Sequence, residues 1–240
     1  LSTKGGAHFN PAINGMEHNL SAAAVRRDVE DSLRRLDTDY IDLFFFHYPD
    51  PNHPVAEGME TLEALRKEGK IRMIGLSNYS QAQMEEAMRY GTVDCAQFRY
   101  SMLTRENEEL LHFCRVHQIG ILSYASLAGG MLSGRYKTEP TFEPGDRRTF
   151  FYPFLQEPDF SCCRKLVDVV EARAAAKGIT AADAAIQWVL SREGMTAALV
   201  GTKNESRARR NAKALDVMLD ETDFRCFDET YAAIFGDRHA

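Results

Sequence analysis

The sequence predicts an α/β fold with a parallel sheet. Two observations carry that expectation: apolar runs of strand length recur along the chain, and amphipathic segments at helical spacing lie between them. The runs are residues 40–47 (YIDLFFFH), 71–76 (IRMIGL), 92–98 (TVDCAQF), 119–124 (IGILSY) and 196–200 (TAALV). All five read as buried strands, because parallel strands need crossover helices that cover both faces of the sheet.

The helices are marked by stripe and by punctuation. Val25, Val29, Leu33 and Leu36 are spaced 4, 4 and 3 apart, and Val55, Met59, Leu62 and Leu65 are spaced 4, 3 and 3. Such spacing puts each set on one helical face. Ser80 with Gln83 and Thr180 with Asp183 have the form of capping boxes, while Gly69, Gly91, Gly120 and Gly178 stand just past helix ends. No strand is followed by GxGxxG, and polar residues close the strands instead: His47, Ser77 with Asn78, Gln97 and Tyr124. A (β/α)8 TIM barrel builds its chemistry at that end of the strands, so the sheet is expected to close as a barrel.

Length and composition fit one soluble domain. The chain has 240 residues, 44% of them apolar and 27% charged, which suits a single domain over 1–240 with a sizeable core. Against 35 Asp and Glu stand 29 Lys and Arg, a net charge of −6, and no long basic run occurs, which argues against nucleic acid as the main partner. The longest apolar stretch, 41–47, is broken by Asp42 and is far shorter than the roughly 18 residues a bilayer span needs, so no membrane partner is expected. No secretory leader is evident at LSTKGG. Five cysteines without a CxxC pair argue against a disulfide framework and against a metal site, and point to reduced thiols in the cytoplasm. Residues 135–160 break the pattern, interleaving Pro140, Pro144, Pro153 and Pro158 with Phe142, Phe150, Phe151, Tyr152 and Phe154. A loop of that length suits a lid over a planar apolar ligand, and equally a plug at the barrel edge.

Taken in order, LSTKGG, LRRLDTDYIDLFFFHYPDP, EALRKEGKIRMIGLSNYS, VDCAQFRYSML, GILSYASLAGGMLSGRY and VGTKNESRARRNAKAL resemble successive motifs of the aldo-keto reductases. The resemblance covers nearly the whole chain. It implies an NADPH-dependent (β/α)8 oxidoreductase that reduces aldehydes or ketones to alcohols by hydride transfer. It also implies a Tyr, a Lys, a His and an Asp at the strand ends. Lys4 matches the family's lysine, whose positive charge would lower the pKa of the tyrosine hydroxyl. His47, closing FFFH before YPDP, matches the histidine that would donate to the carbonyl oxygen as negative charge develops. The other histidines, His8, His18, His53, His112, His117 and His239, have no such context and read as surface.

The cofactor contacts that the resemblance implies are assigned residue by residue. Ser77, Asn78 and Gln97 match the side chains that hold the nicotinamide carboxamide, and Tyr124 matches the ring that stacks beneath it. Leu127, Gly129 and Arg135 fall in the segment that faces the pyrophosphate, where a glycine would let the backbone approach. Gly201, Thr202 and Lys203 precede a helix capped by Asn204, whose positive end suits a phosphate. Lys203 and Arg207 would grip the 2′-phosphate of NADPH, and Asn211 would contact adenine.

Departures from the pattern also carry expectations. The family's first two βα units, about 30 residues each or more, lie before the lysine motif, so the barrel is expected to be N-terminally incomplete in this chain, with six of eight strands recognised. No residue here matches the catalytic Tyr and Asp, and Tyr48 stands where Trp is common. Ala125 in YASL replaces a serine, leaving Ser126 as the neighbouring hydroxyl. Arg210 stands where Glu often precedes the adenine contact. The alternatives to an active enzyme are an NADPH-binding regulatory subunit resembling the potassium-channel β subunits and an inactive truncated relative. Neither the carbonyl substrate nor an oligomeric state is specified by the sequence.

Overall fold

Capping chemistry places helices where the sequence marks them. In the computed structural model, which describes residues 1–13 and 15–236, the Ser80–Gln83 and Thr180–Asp183 boxes form with both reciprocal hydrogen bonds. Strand order in the main sheet is β1-β4-β5-β6-β7-β8, which supplies the six strands expected from the sequence in their expected order. The chain divides into two compact units, the first of Leu1–Phe98 with Leu110–Leu122, the second of Arg99–Glu109 with the chain from Ser123 on.

The first unit opens with β1 (Ser2–Gly5), then an antiparallel hairpin of β2 (Ala7–Asn10) and β3 (Gly15–His18). There follow α1 (Ala22–Leu36), β4 (Ile41–Phe46), α2 (Val55–Lys67), β5 (Ile71–Ser77), α3 (Gln81–Ala87), β6 (Cys95–Arg99), α4 (Glu108–Val116) and β7 (Gly120–Tyr124). Pairs β1/β4, β4/β5 and β5/β6 are parallel. Phe44, Phe45 and Phe46 are fully buried, as are Ile41, Ile74, Val29, Met59, Leu62 and Leu65. Each such side chain contributes about 1.5–3 kcal/mol by leaving water. Gly58 of α2 lets the Phe46 ring lie against the helix, since a Cβ there would stand 2.9 Å from its Cζ.

One row across this sheet determines the floor of the strand ends. Lys4 pairs beside Phe45, Phe45 beside Gly75, and Gly75 beside Cys95. These residues therefore share one face of the sheet. The Phe45 ring lies across Gly75, where a Cβ would land among the ring atoms, and the Lys4 ammonium stands 5.3 Å from the ring centroid. Gly75→Ala is expected to cost about 1–3 kcal/mol through overpacking. Urea denaturation checks it, with the midpoint falling at unchanged slope.

In the first unit the structure departs from the sequence reading at several points. Strand β6 starts at Cys95: Thr92 N–H donates to the Glu63 side chain (2.8 Å), whereas Asp94 N–H donates to the Ile74 carbonyl (2.8 Å) and the Asp94 carboxylate accepts from Ile74 N–H (2.8 Å) and from Arg66. Gly120 is the first residue of β7, and the left-handed residue after α4 is Gln118 (φ 57°). Leu36, last of its stripe, is exposed beside the left-handed cap Asp37. The hairpin of β2 and β3 is an element that the strand-length runs did not reveal.

In the second unit a kinked turn (Ala128–Ser133), α5 (Arg148–Phe151) and a 3-10 turn (Pro153–Leu155) precede α6 (Asp159–Ala176), α7 (Ala181–Leu190), β8 (Met195–Ala198), α8 (Glu205–Ala212) and α9 (Glu221–Phe235). No residue of β8 is fully buried, unlike the expectation for 196–200. Residues 135–160 are partly ordered by their own side chains. Arg148 donates to the Tyr136 hydroxyl (3.0 Å), pairs with Asp146 and lies over the Phe142 ring. The rings divide: Tyr136 is buried, Tyr152 and Phe154 are half-buried, and Phe150 is 83% exposed.

Trp188 of α7 anchors this unit. Tyr100 stacks on one face of its ring system with centroids 5.5 Å apart, and the guanidinium groups of Arg105 and Arg192 lie 4.5 and 4.3 Å from its centroid. Asp228 of α9 joins them, accepting from the indole N–H (2.9 Å) and pairing with Arg105 (2.9 Å) and Arg192 (3.2 Å).

Candidate active site

The first unit brings four of the expected residues onto one face at the strand ends. His47 and Ser77 follow Phe45 and Gly75 by two residues, and Gln97 pairs beside Ser77. The period of two puts all three on the face that carries Lys4. His47 is held by its backbone N–H donating to the Gly5 carbonyl (3.0 Å). Asn78 turns the chain at φ 64° and donates from Nδ2 to the His47 carbonyl (3.0 Å) and to Ser77 Oγ (3.1 Å). Gln97 is 4% exposed, and among the described residues its amide has no protein partner.

Electrostatics set the state of this group. Burial pulls the Lys4 ammonium below its ordinary pKa. Burial first, then the charges of Lys4 and His18, hold the His47 imidazole below its usual value. His47 is therefore neutral at neutral pH and presents an N–H. Its ring stacks on Tyr48 with centroids 4.7 Å apart.

Three carboxylate and imidazole contacts nearby were not assigned from the sequence. Buried Asp28 of α1 accepts from Gly6 N–H (2.8 Å) and bonds His8 Nε2 (3.0 Å), which fixes the turn just after Lys4. Asp50 accepts from Leu20 N–H (2.9 Å) and Asn52 N–H (2.8 Å) and bonds His53 Nδ1 (2.7 Å). Burial opposes its charge, but these donors outweigh that and hold its carboxyl below the usual range. His18, at the end of β3, reaches the Tyr48 ring at 5.6 Å. His18 and His53 are half-buried with defined contacts rather than plain surface positions, His8 is exposed as expected although it bonds Asp28, and His239 lies outside the described residues.

In the second unit, the turn after Tyr124 is unusually strained. Ala125, Ala128, Gly129 and Gly130 all have positive φ (57°, 48°, 64° and 99°), a conformation that costs the two alanines about 1–2 kcal/mol each. Leu127 lies half-buried between them. At Gly129 the space for a Cβ is taken by the Tyr152 ring, 2.6 Å from that position. Ser126 is buried, bonded to Ser123 Oγ (3.0 Å) and donating to the Leu199 carbonyl (3.2 Å). Its hydroxyl is thus spent inside the protein, which corrects the expectation that it could replace the missing phosphate-loop serine. Arg135 is exposed, 5.3 Å over the Tyr136 ring.

Helix α8 starts as its sequence requires. Asn204 accepts from Arg207 N–H (3.1 Å), and Thr202 Oγ1 accepts from Asn204 N–H (3.2 Å). Gly201, Thr202, Lys203 and Arg207 are exposed, and a Cβ at Gly201 would meet nothing within 4 Å. Arg209 pairs with Glu205, whereas among the described residues Lys203 and Arg207 have no carboxylate partner. Asn211 is half-buried one turn on. Among the described residues no cluster suits a metal ion, and no helix is long and apolar enough to cross a membrane. All five cysteines are free, and burial pushes the Cys95 and Cys114 thiols up to about 12.

Comparison with known proteins follows from this arrangement. The model of the Aldo/keto reductase family matches residues 1–232. The Aldo-keto reductase YhdN of Bacillus subtilis is 35% identical over 192 residues, covering 79% of this chain and 58% of that protein. The NADH-specific methylglyoxal reductase of Escherichia coli is 32% identical over 223 residues, covering 90% of this chain and 67% of that protein. The glycerol dehydrogenase AKR11B4 from Gluconobacter oxydans superposes with a TM-score of 0.90 at 28% identity, covering 98% of this chain and 72% of that one. The chain spans 58 to 67% of the length of the curated relatives that it matches. The chain belongs to the aldo/keto reductase family.

Proposed function

We propose that the protein is a cytoplasmic, NADPH-dependent oxidoreductase that reduces a small aldehyde or ketone to its alcohol. The observation that carries this reading is the shared face of Lys4, His47, Ser77 and Gln97 at the strand ends. A bound nicotinamide would supply the hydride, and solvent water the proton that completes the alcohol. Neutral His47 donates its N–H to the carbonyl oxygen and so stabilises the charge that develops there. Lys4 contributes positive potential beside that oxygen and favours the ionised form of any hydroxyl next to it. Ser77, Asn78 and Gln97 hold a carboxamide; Gln97, 4% exposed and with a side-chain amide that has no partner among the described residues, suits such a group.

In the second unit the proposed contacts are Tyr124 beneath a nicotinamide ring, Leu127, Gly129 and Arg135 along the pyrophosphate, and Gly201, Thr202, Lys203, Arg207 and Asn211 at the adenosine end. Lys203 and Arg207 at the start of α8, without a carboxylate partner among the described residues, favour NADPH, because a 2′-phosphate gives them an anion to grip. The name of the Escherichia coli relative, NADH-specific, makes that choice worth testing directly. Arg207→Ala is expected to weaken NADPH binding about tenfold or more, the worth of a charge-assisted hydrogen bond, and NADH binding far less. A fluorescence titration with each nucleotide measures it, and equal losses contradict the phosphate contact. Aldehyde-dependent oxidation of NADPH by the protein tests the reading as a whole; no oxidation across a panel of short aldehydes and ketones contradicts it.

A further inference from the structure

Helix α8 carries the proposed adenosine-end contacts, yet none of its residues is buried, and every residue from 201 to 210 is exposed. Among the described residues, every hydrogen bond of 201–213 stays within 201–216. A segment without apolar burial is placed by what holds its two ends. The first end is tied at Leu199, whose N–H donates to the Ser123 carbonyl (2.8 Å) and whose carbonyl accepts from Ser126 (3.2 Å). The second end is tied by one side chain, Gln187 of α7. Its Nε2 donates to the carbonyls of Ala214 (2.7 Å) and Val217 (2.8 Å), and its Oε1 accepts from Leu219 N–H (2.7 Å).

Gln187 is a polar side chain in a core position, 1% exposed between buried Ile186 and buried Trp188. A buried amide costs free energy unless it is bonded. The three bonds use both of its donor hydrogens and its acceptor oxygen, so the side chain is wholly committed to the 214–219 turn. All its partners are main-chain groups. It therefore fixes the backbone that leads out of α8, at a point where Ala214 and Leu219 are themselves buried.

We propose that Gln187 is a positioning residue for the dinucleotide: acting through α8, it holds Lys203, Arg207 and Asn211 where they meet the adenosine end. The inference rests on the proposed cofactor reading. Its physical basis is preorganisation, since a helix already in place need not be ordered when the phosphate binds.

Gln187→Met keeps the unbranched length of the side chain and removes all three bonds. Fluorescence and calorimetric titrations compare three probes: NADPH, adenosine 2′,5′-bisphosphate, which has the adenosine end alone, and reduced nicotinamide mononucleotide, which has the nicotinamide end alone. The variant is expected to raise Kd for the first two by about three- to tenfold, the worth of one hydrogen bond between α8 and the phosphate. The third Kd is expected to hold. Gln187→Glu, whose carboxyl burial keeps protonated, retains one donor and the acceptor and falls between parent and methionine variant. If the methionine variant does not fold, the glutamate variant carries the comparison. An unchanged Kd for NADPH, or a loss of equal size for all three probes, overturns the proposal. If the parent binds none of the three, the cofactor reading falls, and the anchoring is then judged by hydrogen exchange. Faster exchange of the α8 amides in the variant, with α7 unchanged, supports it, and unchanged α8 exchange overturns it.

Discussion

For the proposed carbonyl reduction, Lys4→Met is expected to lower kcat by about 10²–10⁴-fold, the range for removing a group that manages a proton or its charge in the transition state. Methionine keeps the apolar stem of the side chain as far as Cε and removes the ammonium that lies 5.3 Å from the Phe45 centroid, so most of the loss reports charge rather than packing. A second readout separates the two. The charge of Lys4 is one cause of the low pKa of His47, and its removal raises that pKa toward the ordinary 6.5. The acid limb of the pH–rate profile, where protonation costs His47 its neutral state, therefore moves to higher pH in the variant. A variant with unchanged kcat, or with a lowered kcat and an unmoved acid limb, contradicts the electrostatic role.

Asp228→Ala destabilises the protein by about 3 kcal/mol, the lower end of the cost of leaving a buried ion pair without one partner. The lower end applies because Asp228 is itself 33% exposed, but what it leaves behind is not exposed. The Trp188 N–H, on a fully buried residue, loses its acceptor, and the guanidinium of Arg105, on a residue 9% exposed, loses its carboxylate and keeps only the Met102 carbonyl. For a chain of this size the melting temperature falls by roughly 6–12 °C. Asp228→Asn retains an acceptor oxygen for the indole and loses less. Thermal and urea denaturation measure both variants, and an alanine variant within about 0.5 kcal/mol of the parent, the range of ordinary surface changes, shows that the Trp188 cluster does not anchor α7 and α9.

What the sequence showed and what it hid follow from how local each signal is. Apolar runs such as FFFH and IRMIGL became β4 and β5 because burial on both faces writes itself into consecutive residues. Ser80 and Thr180 were legible as caps because the bond to the third residue on is made within one turn. The strand-end residues Lys4, His47, Ser77 and Gln97 were found through family motifs, and the parallel register then explains why they share a face. The Gly75–Phe45–Lys4 row, by contrast, depends on residues about 30 to 40 positions apart that meet only through strand pairing. The same holds for Asp228 with Arg105 and Trp188, and for Asp50 with Leu20. Strands β2 and β3 are four residues each, too short to show a period, so His18 stayed hidden among the surface histidines. Burial of the Ser126 hydroxyl was equally out of reach, since its acceptor Leu199 lies 73 residues on.

A nitrogen–proton correlation titration of the protein with NADPH most directly tests whether these strand ends hold a nicotinamide. The backbone signals of Ser77 and Asn78 and the side-chain amide signals of Asn78 and Gln97 should shift together and saturate at one nucleotide concentration, with His47 ring protons moving in the same titration. Signals of those residues that stay in place while NADPH saturates the protein, or shifts confined to other faces of the first unit, would contradict the assignment.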